Sequence, residues 1–383
     1  PIVAGQKQTG EEVPSVNPAN IAEVVGTCML ASEAHVDTAL QSAVAGQLAW
    51  DRRPAAERAA ILNKVADLFE ENAPELLELC VREAGKVIPD AISELREAVD
   101  FIRYYAAQSE KHFGEPAVMP GPTGERNTYG MRGRGIFVCI SPWNFPLAIF
   151  TGQVVAALAA GNAVLAKPAE QTPIVAYRAV QLMLEAGIPG DVLHFLPGDG
   201  AKIGGRAVAD PRVAGVAFTG STETARLINQ TLSHRDGPIG ILIAETGGQN
   251  AMFVDSSALP EQVVHDSIYS AFNSAGQRCS ALRLLCVQEE IEPRTLELLV
   301  GYMDELDIGD PKHLSTDVGP AIDDEARGLL TAHVERMSHE ARIVHRCKLP
   351  EGTDSGTFFA PTLIEIDSID ALQQEVFGPV LHV

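Results

Sequence analysis

Gly135-Ile136-Phe137-Val138-Cys139-Ile140, Ala163-Val164-Leu165-Ala166 and Val192-Leu193-His194-Phe195-Leu196 are three short apolar runs, and residues 213–218 form a fourth. Each has the length and apolar character of a buried strand. Between them, residues 153–160, 174–186 and 201–209 read as helices of about ten residues, the spacing of βαβ units in a parallel sheet. Ligands of such sheets bind at the carboxyl ends of the strands. The unusual polar clusters of this region fall there: Ser141-Pro142-Trp143-Asn144, Lys167-Pro168-Ala169-Glu170 and Thr219-Gly220-Ser221.

Working outward, residues 31–107 are rich in Ala, Leu, Glu and Arg and read as helical. Ser32 ahead of His35-Val36, and Pro54-Ala55-Ala56-Glu57, are the helix starts. Residues 114–134 change character to Gly, Pro, Thr and Tyr and predict an extended excursion. A second α/β unit follows Glu245, with a helix near residues 262–272. The Gly-rich turn Thr246-Gly247-Gly248 is the expected joint, dividing the chain into residues 1–245 and 246–383.

The 383 residues are long enough for two cores, with 46% hydrophobic and 21% charged residues. A net charge of −22 without a Lys/Arg cluster argues against a nucleic-acid or anionic-membrane partner. No apolar run reaches the ~18 residues of a membrane span. The six cysteines form no Cys-x-x-Cys pair and no metal-ligand spacing, so reduced thiols in a cytoplasmic protein are expected, with no metal site. The chain starts at Pro1 and stops inside an apolar run, Val380-Leu381-His382-Val383, that reads as a buried strand. Such a strand left unpaired would cost free energy, so a longer polypeptide is expected.

Three local signals carry chemistry. A buried cysteine is ordinarily inert core, but Cys279 follows small and polar residues, Asn273-Ser274-Ala275-Gly276-Gln277-Arg278. A loop leaving a helix end gives a thiol the access that a nucleophile needs. Glu245 ends an apolar strand before two glycines. In partly apolar surroundings facing a cleft it would serve as a general base; alone, it reads equally well as a strand-end carboxylate capping the next turn. Thr219-Gly220-Ser221-Thr222 opens a helix and suits a phosphate. Gly198-Asp199-Gly200-x-x-x-Gly204 is not the Gly-x-Gly-x-x-Gly fingerprint, and alone it marks a turn into a helix.

Taken in order, these segments resemble the aldehyde dehydrogenase superfamily. The matching motifs are Pro142-Trp143-Asn144-Phe145-Pro146, Lys167-Pro168 with Glu170, Phe218-Thr219-Gly220-Ser221, Glu245-x-Gly247-Gly248, Gly276-Gln277-Arg278-Cys279 and Glu375-Val376-Phe377-Gly378-Pro379. The resemblance implies an α/β fold: a Rossmann-type dinucleotide-binding domain, an α/β catalytic domain and an oligomerisation flap at 114–134. It also implies NAD as cofactor. Cys279 would attack the aldehyde, Asn144 would stabilise the oxyanion with the Cys279 amide, and Glu245 would activate water. Ile140, Ser141, Pro142, Trp143, Lys167, Glu170, Gly200, Gly204, Phe218, Gly220, Ser221, Thr246, Gly247, Glu375 and Phe377 would line the cofactor. Phe145, Arg278 and Ser280 would meet the substrate.

Within the superfamily the chain looks most like L-glutamate-γ-semialdehyde (1-pyrroline-5-carboxylate) dehydrogenases, and more narrowly the aldehyde dehydrogenase domain of bifunctional proline utilization A proteins. Glu245-Thr246-Gly247-Gly248-Gln249-Asn250, Cys279-Ser280-Ala281-Leu282-Arg283 and the helix Glu94-Leu95-Arg96-Glu97-Ala98-Val99-Asp100-Phe101 carry that likeness. It implies a small aldehyde substrate, a homo-oligomer and a covalently linked proline dehydrogenase domain. The rival readings are a dehydrogenase of another semialdehyde or aliphatic aldehyde, a bare dinucleotide-binding module, and a catalytically silent structural protein on the same fold. Loss of Cys279, Glu245 or Asn144 would favour the silent protein, and all three are present.

Overall fold

Five parallel strands carry the first unit, and their order is not that of the chain. In the computed structural model, which describes residues 1–383, they lie side by side as Ile241–Glu245, Val213–Thr219, Ile136–Ile140, Ala163–Lys167 and Leu193–Phe195. Strands Ile2–Val3 and Gln6–Lys7 extend the sheet antiparallel beyond Leu193–Phe195. The chain thus starts in the middle at Ile136–Ile140, winds out to Leu193–Phe195, then returns to wind the other way. The reversal lies between Ile136–Ile140 and Val213–Thr219, where an open α/β sheet parts its loops into a crevice.

Strands Ile136–Ile140, Ala163–Lys167 and Leu193–Phe195 form where they were expected because nearly all their residues are buried on both faces, as a parallel sheet covered by helices demands. Of the intervening helices, Pro173–Ala186 matches its expected span within a residue, while Ala148–Ala159 starts five residues earlier than 153. It does so because Glu94 Oε1 accepts from the Leu147 and Ala148 amides, at 2.8 and 3.1 Å, and supplies a start signal from elsewhere in the chain. The segment expected as one helix over 201–209 opens as a π turn, Gly200–Gly204, before Gly205–Ala209. Ser32 caps Glu33–Arg52, with His35 Nδ1 accepting in return from the Ser32 amide, and Ala55–Glu71 follows Pro54. Residues 114–134 contain the exposed antiparallel pair Ala117–Met119 and Asn127–Tyr129. No helix is long and apolar enough to cross a membrane.

The second unit holds a five-stranded sheet in the order Ala251–Val254, Leu284–Val287, Val380–His382, Thr362–Glu365, Arg342–Arg346, with only the last strand antiparallel. The last strand of the chain is therefore not left unpaired: Val380–His382 lies in the middle and bonds on both sides. The helix expected near 262–272 is Pro260–Phe272, and its Val264, Ile268 and Phe272 pack in the core with Leu285, Leu363 and Leu381.

The division between units differs from a single cut at 245/246. The units change over between Thr246 and Gly247, but Val16–Val25 and Cys80–Ala91 also belong to the second. Their polar partners lie there. Glu23 pairs with Arg82 at 2.8 Å, Thr357 Oγ1 donates to the Pro18 carbonyl at 3.1 Å, and Asp90 holds Ser274. No local pattern in these short segments announces that allegiance.

Candidate active site

The first unit gathers its expected residues at the carboxyl ends of its strands. At the reversal point Gln153 Nε2 donates to Ile140 O at 3.3 Å and to Thr219 Oγ1 at 2.9 Å, pinning two neighbouring strand ends. Ser141 N donates to Lys167 O at 3.2 Å. Asn144 and Phe145 are buried, and Pro142 and Trp143 are half-buried. Lys167, 4% exposed, sends Nζ to Glu170 Oε1 at 2.7 Å. Gly200 and Gly204 sit over this pair. A Cβ on Gly200 would meet Glu170 Oε1 at 3.4 Å and Lys167 Nζ at 3.8 Å; one on Gly204 would meet Ile140 Cδ1 at 3.6 Å. The protein itself demands no glycine at either place, so the bare backbone leaves a shallow cradle beside an ammonium and a carboxylate.

Ser221 caps the helix Thr222–His234, its Oγ accepting from Thr224 N at 3.1 Å, and is exposed. Phe218 is buried beside it, and Gly220 N donates to Glu245 O at 3.1 Å. Glu245 ends its strand as expected, but its side chain is exposed instead of lying in partly apolar surroundings. Its strand is at the edge of the sheet, and an edge leaves the end residue open. Thr246 beside it is half-buried.

The second unit presents the thiol. Cys279 is exposed, whereas four of the other cysteines are buried and Cys286 is half-buried. Burial pushes the Cys139 thiol up to about 12 and, with Asp304 nearby, that of Cys347 to about 11. The approach to Cys279 is strained: Ser274, Ala275 and Gly276 all take left-handed backbone, with φ of 53°, 52° and 66°. For Ser and Ala this costs about 1–3 kcal/mol each and persists only when neighbours enforce it. Asp90 Oδ2 accepts from Ser274 N and Oγ at 3.0 and 2.8 Å. Gln277 donates to Ser274 O and Pro320 O, both at 3.2 Å, and accepts from Ile322 N. Asn250 Nδ2 donates to the carbonyls of Cys279 and Ala281 at 2.7 and 2.9 Å. Ser280 is exposed and Arg278 half-buried.

Glu375 and Phe377 lie near this loop through Arg283, whose guanidinium is 3.2 Å from Glu375 Oε1 and 5.3 Å from the Phe377 ring centre. Gly247 makes room for Glu375: a Cβ there would lie 1.9 Å from Oε2. Burial pushes the Arg283 guanidinium below its ordinary value, and the charges of Glu375 and Cys279 pull it back.

Five residues that hold the site carry no role assigned from the sequence. Gln153 is there only the first residue of an expected helix, Asn250 and Arg283 are only parts of matched motifs, and Glu94 is one residue of a matched helix. Gln153 and Arg283 share one usable signal, a polar residue among apolar neighbours. Asp90 gave none.

The chain matches the Aldehyde dehydrogenase family over residues 5–383. It is 51% identical to the bifunctional protein PutA of Klebsiella aerogenes over 98% of this chain and 28% of that protein. It is 36% identical to the 1-pyrroline-5-carboxylate dehydrogenase of Geobacillus thermodenitrificans over 99% of this chain and 74% of that one. A Thermus 1-pyrroline-5-carboxylate dehydrogenase solved with bound NAD superposes with a TM-score of 0.93 at 33% identity, covering 99% and 74% of the two chains. The chain thus spans under a third of the PutA protein and about three quarters of the shorter relatives.

Proposed function

The chain belongs to the aldehyde dehydrogenase family, and on that premise we propose that it oxidises L-glutamate γ-semialdehyde to L-glutamate with NAD, through a thioester on Cys279. The observation that carries the reading is the Cys279 loop: an exposed thiol at the end of a strained turn that Asp90, Gln277, Asn250 and Arg283 hold in place. Strain persists at sites where geometry is needed for chemistry. The first unit's cradle suits the cofactor: Lys167 and Glu170 offer a donor and an acceptor to a ribose diol, and Ser221 opens a helix whose amino end favours a pyrophosphate. Gly200 and Gly204 would border the adenosine, with Ile140, Ser141, Pro142, Trp143, Phe218, Gly220, Thr246 and Gly247 completing the lining. Glu375 and Phe377 would hold the nicotinamide ribose and ring. NAD, when bound, supplies a hydride acceptor.

Cys279 Sγ adds to the aldehyde carbon, and the Asn144 amide with the Cys279 N–H donate to the oxygen as it gains charge. Loss of hydride and of the hydroxyl proton leaves the thioester. Glu245 takes a proton from water, which attacks the acyl carbon and releases the acid and the thiol. Phe145, Arg278 and Ser280 would border the substrate, Ser280 donating to its far carboxylate. The exposed Val118 and Tyr129 on residues 114–134 suit a flap that pairs subunits of a homo-oligomer. On the likeness to PutA the proposal extends to a linked proline dehydrogenase domain and a cytoplasmic home.

Replacing Cys279 with Ala in the full-length enzyme is expected to abolish aldehyde-dependent NADH formation while NAD still binds in calorimetry. Turnover surviving that change would remove the thioester route. Equal kcat/KM for simple aliphatic aldehydes would leave the reaction type and discard the substrate.

A further inference from the structure

One guanidinium joins the nucleophile's loop to the segment that carries Glu375 and Phe377. Arg283 is 1% exposed. Its Nη1 donates to Gly276 O at 2.7 Å and to Gly378 O at 3.1 Å. Its Nη2 donates to Arg278 O at 2.9 Å and to Glu375 Oε1 at 3.2 Å. The two segments touch backbone to backbone beside it, since a Cβ on Gly276 would lie 2.2 Å from Gly378 O. The base of the side chain is fixed as well: Arg283 N donates to Asn250 O, and Arg283 O accepts from His382 N and Nδ1.

We propose that Arg283 is a positioning residue of the dehydrogenase reaction, setting the Glu375 carboxylate and the Cys279 loop in one register. Four acceptors on two segments are satisfied by one planar fork, so a shift of either segment breaks bonds to the other. A burial this deep would be unfavourable for a charge that met only one partner. Lysine keeps the charge but is a point donor, which cannot span the same acceptors. The inference rests on the reading that Glu375 holds the cofactor's nicotinamide half.

The test uses the full-length enzyme with Arg283→Met, Arg283→Lys, Glu375→Gln and the Met/Gln double variant. Calorimetry gives the Kd for NAD, iodoacetamide alkylation reports the Cys279 loop without turnover, and steady-state kinetics give both KM values. Arg283→Met is expected to weaken NAD about tenfold, the effect of one charge-assisted hydrogen bond, and to change the alkylation rate. The aldehyde KM should stay within about twofold, and Arg283→Lys should recover part of the loss. The double variant is expected to bind NAD no more weakly than Arg283→Met, because an unanchored Glu375 has little left to lose. Independent effects that multiply would overturn the proposal, as would a variant with a lower Tm but an unchanged Kd in its folded fraction. Should Arg283→Met not fold, the cycle with Arg283→Lys decides in the same way. Failure of the unsubstituted enzyme to bind NAD would instead sink the functional reading itself.

Discussion

Each unit buries an arginine among backbone carbonyls, and the two do different things. Arg58, 2% exposed, donates from Nε to Ala159 O at 3.2 Å and from Nη1 to Asp51 O and Arg53 O at 3.2 and 2.5 Å. With Trp50 Nε1 on Leu158 O and Ser109 Oγ on Ala159 O, it closes the carboxyl end of the helix Ala148–Ala159. That end lies away from the polar strand ends, and all of Arg58's acceptors are neutral. Arg283 has carbonyls too, but also a carboxylate and an aromatic ring that belong to the candidate site. The glycines divide the same way. Gly276 is required by its own backbone, whereas Gly200 leaves space the protein does not fill. A buried arginine or a bare glycine therefore says nothing about function until its partners are known.

The comparison breaks most visibly at Arg58. Arg58→Ala strands helix-end carbonyls in the core and is expected to cost about 3 kcal/mol of stability, several such groups losing a charged donor. Urea unfolding should register this, with kcat per titrated thiol unchanged. A fall in kcat per thiol instead would mean that the two arginines are not separable in role.

The glycines sharpen it. Gly276→Ala forces a Cβ into left-handed backbone, about 1–2 kcal/mol, and against Gly378 O. The displaced loop is expected to lower kcat about a hundredfold, with NAD affinity less affected. Gly200→Ala should do the reverse: unchanged Tm and kcat, but NAD bound roughly tenfold more weakly, about 1.4 kcal/mol. Equal NAD affinity in Gly200→Ala would remove that cradle from the cofactor site.

A smaller effect, common to both units, is read by pH. Burial pushes His194 in the first unit down to about 4, and does the same to His333 and His382 in the second. His194 Nδ1 accepts from Ala4 N at 3.1 Å, a bond that a proton on Nδ1 would break. Because these imidazoles stay neutral when folded, stability is full above about pH 6.5. It declines as the unfolded chain takes up protons below that, and levels off near pH 4. Each group contributes a slope of up to about 1.4 kcal/mol per pH unit. His194→Asn, which keeps an acceptor, should flatten the slope of the first unit's transition between pH 6 and pH 5, in about that proportion. An unaltered slope would mean the buried imidazole is not what makes the unit acid-sensitive.

By itself the sequence determined what depends on near neighbours. Continuous apolar runs between helical stretches dictated parallel strands, Ser32 and Ser221 dictated helix starts, and the small residues before Cys279 dictated an accessible loop. These follow from side-chain periodicity, capping and backbone freedom, which act over a few residues. Only the tertiary structure decided the order of the strands, the allegiance of Val16–Val25 and Cys80–Ala91, and the pairing of the last strand on both sides. It also decided that Glu94 would start a helix 53 residues on and that Arg283 would meet Glu375 92 residues on. An apolar face or a carboxylate has many partners of equal local merit. Which one it takes is set by the simultaneous burial of all the faces and the bonding of all the polar groups, and no stretch of the chain carries that information alone.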